Sequence, residues 1–213
     1  MNASQVDCEK LADGIESCFD VTGDSKFRKL YLRMIVGGGC GDVSTAVMLY
    51  LRDLGILADT IISKPRLPFD RSMEHIMVAV KDEPENPLII DATYSQFLDY
   101  AGYSAAYDKI TGRQIYPVER IIAFNINDRD NTVRKIARAA LYFRDIESDL
   151  VNEVGYQCGD DWLPEVTTER GMIESLGPIW DPSNFSPYEP TELNLANGAR
   201  WSRLICKTAV KLD

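Results

Sequence analysis

One histidine, His75, occurs in the 213 residues, so any step that needs an imidazole is confined to a single position. Cysteine pairs are missing as well. The five cysteines (Cys8, Cys18, Cys40, Cys158, Cys206) are an odd number and contain no C-x-x-C spacing, which argues against a disulfide framework and a zinc ribbon. No run approaches the about 18 to 20 consecutive apolar residues of a membrane span. The N-terminus "MNASQVDCEKLADG" has neither a basic leader nor an apolar stretch, so the expected location is cytoplasmic, or delivery by a secretion system without a cleavable signal. Basic residues are scarce relative to acidic ones. The net charge of -10 argues against a nucleic-acid partner, because phosphate backbones are bound chiefly by Lys and Arg.

What is present is ordinary for a folded chain: 45% hydrophobic and 26% charged residues, enough for one core. Residues 1–213 read as a single domain with a core over 1–155, and no repeat or low-complexity tract divides it. Helical spacing is expected over 3–19 and 25–35. From Val43 the apolar residues recur at Val47, Tyr50, Leu51 and Leu54, and Gly55 stands where a helix would be capped. "LADTII" (57–62), "HIMVAV" (75–80) and "PLIIDATY" (87–94) read as strands of an antiparallel sheet packed on that helix, with a further strand within 116–126 and a long helix over 131–154. The overall expectation is an α+β fold. The last segment, 156–213, holds five of the ten prolines and all three tryptophans and is expected to be irregular, wrapping the core with aromatic anchors or covering a cleft, C-terminal to the extra helix over 131–154.

Cys40 lies in "VGGGCGDVSTAVMLYLRDLG" at the start of the predicted helix, where unpaired N–H groups and the positive end of the helix dipole favour a thiolate. Glycines 39 and 41 clear side chains from around it, so Gly39 and Gly41 are candidates for substrate approach and oxyanion binding. A hairpin centred near Pro84 would pair position 80 with 88. That register sets His75 beside Thr93 with Asp91 as its diagonal neighbour on the same face. Nucleophile, base and orienter then fall to Cys40, His75 and Asp91. The same three would be one ligand short of a closed zinc site, and the glycine run lacks the Gly-Lys-Ser/Thr of a phosphate loop. No cofactor or metal is expected.

"GGGCGDVSTAVMLYLRDLGILA", "EHIMVAV" and "LIIDATYSQF" resemble the catalytic segments of the transglutaminase-like branch of the papain-like cysteine enzymes, over roughly residues 30 to 100. In that superfamily a Cys begins a helix, a His begins a strand and an Asp lies on the next strand. The resemblance implies a papain-like core and an acyl-thioester intermediate. It allows a cysteine-dependent amide hydrolase, a protein-glutamine deamidase or peptidase of the kind found among bacterial effectors, acting on a protein or peptide amide. It also allows an acyltransferase or amide synthase that takes a carrier-bound acyl group and an amine acceptor, or a non-catalytic binding module. The intact order of Cys, His and Asp favours an enzyme, and the hydrolase is the first expectation. One departure stands out. The proteases place a Gln upstream of the Cys to bind the oxyanion, yet no Gln lies between Gln5 and Gln96. Gln96 is a candidate donor by its closeness to Asp91, and the second oxyanion donor is otherwise unassigned.

Overall fold

A computed structural model of the chain describes residues 6–8, 10, 11, 14, 15, 39–66, 73–81, 85–94, 97, 121–154 and 168–209, with side chains followed to 141 in the long helix and to 206 near the C-terminus. Its elements in chain order are helix α1 (Cys40–Asp53), strands β1 (Ala58–Ser63), β2 (His75–Val80), β3 (Leu88–Asp91) and β4 (Ile122–Asn125), and helices α2 (Arg129–Val154) and α3 (Glu169–Leu176). Two short 3-10 turns, strand β5 (Phe185–Pro187) and helix α4 (Glu192–Ala209) follow. The fold is α+β, with all five strands antiparallel in the order β4-β3-β2-β1-β5.

Helix α1 ends as its sequence requires. Gly55 has φ of 78°, its N–H donates to the Arg52 carbonyl at 2.9 Å, and the Ile56 N–H donates to the Leu51 carbonyl at 2.9 Å. These paired bonds form a Schellman closure, which needs a left-handed residue and so favours glycine. Within the helix Val43, Ala46, Val47, Tyr50 and Leu51 are buried, and so are Ser44 and Thr45. Their hydroxyls are satisfied locally: Ser44 Oγ donates to the Ile76 carbonyl at 2.8 Å and Thr45 Oγ1 to the Gly41 carbonyl at 2.6 Å.

The sheet carries a core on each face. Val78, Val80, Ile90 and Ala58 meet α1, Ile205 of α4 and the helical residues Leu11 and Ile15. Met77, Ala79, Ile89, Ile122 and Phe124 meet Val133, Ile136 and Ala137 of α2, Met172 and Leu176 of α3, and Trp180. Every residue of β2 is buried, which explains its unbroken apolar run: a strand covered on both faces has no reason to alternate. The β2–β3 register is Val80↔Leu88, Ala79↔Ile89 and Val78↔Ile90, as the hairpin centred near Pro84 requires.

The strand expected within 116–126 is observed over Ile122–Asn125, and the strand expected over 87–94 stops at Asp91. The long helix starts at Arg129, two residues early. The largest correction concerns 156–213, which is regular over much of its described part: α3, β5 and α4 replace the expected irregular wrap. Its prolines 178, 182, 187 and 190 all fall between the two helices, at turns and at the end of an edge strand where no ladder N–H is needed. The buried residues of α4, namely Gly198, Ser202 and Ile205, are mostly small. A stripe of that kind carries almost no hydrophobic periodicity, so a search for apolar spacing passes over it. Smallness is what the packing demands, since a Cβ at Gly198 would sit 2.7 Å from Thr45 Cγ2 and 3.2 Å from the Ala46 nitrogen. The helix expected over 25–35 lies outside the described residues.

Candidate active site

Helix α1 places Cys40 in its first turn. Gly39 precedes it without a side-chain cap, and the first intrahelical bond is Val43 N–H to the Gly39 carbonyl at 3.1 Å. The N–H groups of Cys40, Gly41 and Asp42 therefore come before the helical ladder begins. Cys40 is 7% exposed and packs with Ile62 of β1, Ile76 of β2 and the ring of Tyr188. The space a side chain would need at Gly41 is filled by Asn194 Nδ2 at 3.2 Å and Ile76 Cδ1 at 3.4 Å. Its bareness thus serves the close approach of α4.

His75 is the first residue of β2 and lies opposite Ser63 of β1; Asp91 is the last residue of β3. Both are fully buried, and His75 Nε2 meets Asp91 Oδ2 at 2.7 Å. That bond takes Nε2 and leaves Nδ1 for another partner, and Cys40 lies near enough to the imidazole to raise its pKa. Asp91 is held from every side. Its Oδ1 accepts from the Thr93 N–H at 3.0 Å and from Thr93 Oγ1 at 3.4 Å, and its Oδ2 accepts from Trp180 Nε1 at 2.9 Å as well as from His75. Four donors on one carboxylate are what makes a fully buried charge tolerable. Phe97 stands edge-on to the imidazole at 4.8 Å between centroids, and Trp180 stands edge-on to Phe97 at 5.4 Å. The imidazole is thereby fixed in plane and position.

Burial by itself would push the His75 pKa down. The Asp91 charge and hydrogen bond, with a further hydrogen bond and charge from Cys40, outweigh it and raise the pKa from 6.5 to about 9. The imidazolium form is therefore kept at neutral pH, facing a thiol on one side and a carboxylate on the other.

The structure brings Cys40, His75 and Asp91 together with Gly39 and Gly41 beside the thiol; Gln96 lies outside the described residues. Four contributors had no clear sequence signal: Phe97, Trp180, Tyr188 and Asn194. Trp180 is 89 residues from Asp91, and the sequence marks it only as one of the three tryptophans of 156–213. Among the described residues no group of three or more His, Cys, Asp or Glu side chains is arranged to hold a metal ion, and no helix is long and apolar enough to cross a membrane. No protein-family model, curated protein or solved structure matches the chain.

Proposed function

We propose that the chain is a cysteine-dependent amide hydrolase of the transglutaminase-like, papain-like kind, working through an acyl-thioester on Cys40. The observation that carries this reading is the buried His75–Asp91 pair at 2.7 Å, with a cysteine in the first turn of a helix close enough to the imidazole to help raise its pKa. A sheet whose adjacent strands bear His and Asp, packed on the helix that bears Cys, is the arrangement the resemblance implies. Structural histidines can be buried beside a carboxylate, but that role has no need of a thiol near the imidazole.

The chemistry follows from the charges. The thiolate of Cys40 attacks the amide carbonyl carbon, a C–S bond forms, and the carbonyl electron pair moves to oxygen. As the oxyanion collapses, the C–N bond breaks and the His75 imidazolium gives its proton to the leaving amine. Neutral His75 then takes a proton from the incoming water, whose attack releases the acid and restores the thiolate. Asp91 holds the ring so that Nδ1 faces sulfur throughout and stabilises each return to the imidazolium. With a glutamine side chain the leaving group is ammonia and the reaction is deamidation; with a backbone amide it is peptide cleavage.

Alkylation with iodoacetamide, mapped by mass spectrometry, tests the reading. Cys40 should react far faster than Cys8, Cys18, Cys158 or Cys206, and His75→Ala should remove that advantage. Equal rates across the five thiols would sink the proposal. If an amine acceptor accelerates release of an acyl group from Cys40 while water does not, the enzyme is an acyltransferase instead.

A further inference from the structure

The oxyanion formed at Cys40 needs a second donor beside the Cys40 N–H, and the upstream glutamine that serves this purpose in the proteases has no counterpart in this chain. We propose that the hydroxyl of Tyr188, brought in by the C-terminal strap, is that donor. The assignment rests on the reading of Cys40 as the nucleophile.

Placement comes first. Tyr188 follows β5, and its backbone is clamped to β1 by two bonds: its N–H donates to the Thr60 carbonyl at 3.0 Å, and Thr60 Oγ1 donates to its carbonyl at 2.9 Å. From that rigid base the half-buried side chain packs against the cluster formed by Cys40, Ile62 and Ile76. The phenol remains protonated well beyond neutral pH, because burial and the charges of Cys40, Asp42 and Glu74 push its pKa up. A group kept protonated in part by Cys40's charge is suited to donate to negative charge developing beside that sulfur.

Its proton is also free to move. In the resting site Tyr188 Oη donates to Asn194 Oδ1 at 2.7 Å. The same oxygen accepts from the Thr191 N–H at 3.1 Å and from Thr191 Oγ1 at 2.9 Å. An amide oxygen has two lone pairs, so three donors oversubscribe it. Asn194 cannot flip to relieve this, since its Nδ2 donates to Asp42 Oδ1 at 2.8 Å and the amide oxygen could not replace that donor. When the Tyr188 O–H turns away, Asn194 keeps both of its remaining donors and no buried acceptor is orphaned. Reorienting the hydroxyl toward an oxyanion therefore costs little, and the gain is a charge-assisted bond. The strap that carries Trp180 to the carboxylate thus also supplies a reacting group at the thiol.

Two reactions of the same sulfur separate this role from a structural one. Alkylation by iodoacetamide displaces iodide and builds no oxyanion. Acylation by p-nitrophenyl acetate forms a C–S bond, passes through an oxyanion and expels p-nitrophenolate, which is seen as a burst. Tyr188→Phe keeps the ring and removes only the hydroxyl. It should slow the burst by about 100-fold, the usual cost of losing one oxyanion donor, and leave the Cys40 alkylation rate unchanged. A burst of undiminished rate, or an equal fall in both reactions, overturns the assignment. A wild-type chain with neither a burst nor preferential alkylation of Cys40 fails earlier, at the acyl-thioester reading itself, and takes this assignment with it.

Discussion

At Asp91 every carboxylate oxygen is engaged, by His75, Trp180 and Thr93, and nothing is exposed. Around Cys40 stand the His75 imidazole, three helix N–H groups ahead of the ladder, and a tyrosine whose acceptor is oversubscribed. The two ends of one site are thus built on opposite principles. In the proposed reaction the Asp91 charge persists throughout and is best surrounded by fixed donors, because in a buried setting each lost partner leaves a large desolvation penalty. At Cys40 the same proposed reaction makes charge appear and disappear, which needs donors that can be lent and recovered. The contrast also sets where mutations should damage folding and where they should damage chemistry alone.

The hardest blow to the closed end is Asp91→Ala, which strands the buried imidazolium and the Trp180 N–H. We expect a loss of about 4 kcal/mol in urea unfolding, the range for removing one partner of a buried pair. With the carboxylate gone, burial is left opposing the charge, so the His75 pKa should fall; a stable variant whose His75 titrates as before would show that the pair is not the anchor. The second effect needs no mutation. The folded-state pKa of His75 is raised, from 6.5 to about 9, so its stabilisation is complete below pH 6.5 and is lost as pH rises through 9. The loss should be on the order of 3 kcal/mol. Because His75 is the only histidine, its NMR resonance can be followed without assignment, and a midpoint near 6.5 would contradict the buried ion pair.

At the open end the strongest stability test is Gly198→Ala. The added methyl would meet Thr45 Cγ2 at 2.7 Å and the Ala46 backbone, pushing α4 from α1. Overpacking of this kind costs about 3 kcal/mol at its upper range, readable as a fall in thermal midpoint. Since Asn194 and Asn197 of α4 tie Asp42 in the first turn of α1, the same variant should slow Cys40 alkylation; an unchanged rate would mean that α4 does not position the thiol. The smallest change expected is Trp180→Phe. It keeps the ring against Phe97 and removes one donor to a charged acceptor, worth about 2 kcal/mol. With less of its charge satisfied, Asp91 should hold the His75 proton more tightly and move the NMR midpoint upward. A stability loss with no movement of that midpoint would reduce Trp180 to packing alone.

Much of the core of the site was legible in residue order. The spacing of Val43, Val47, Tyr50 and Leu51 with Gly55 behind it specifies α1 and its end, since both depend on neighbours within a few turns. "HIMVAV" matches β2 residue for residue, and the short hairpin connection set a register that put His75 and Asp91 on one face. Residues 156–213 depart from the expected irregularity for an equally physical reason. Proline counts averaged over 156–213 conceal that the prolines sit between helices, and the buried face of α4 is glycine and serine as well as isoleucine.

By itself, then, the sequence determined which residues could do chemistry and in what order they arrive: one histidine, a cysteine at a helix start and an aspartate at a strand end, each read from local periodicity. Tertiary structure alone decided how they are partnered. The nitrogen of His75 that Asp91 takes, the indole N–H donated from 89 residues away and the tyrosine clamped beside the thiol are products of packing. Side-chain hydrogen bonds between distant segments have no period and no spacing rule, so they become visible only when the sheet and its two helical layers bring those segments together.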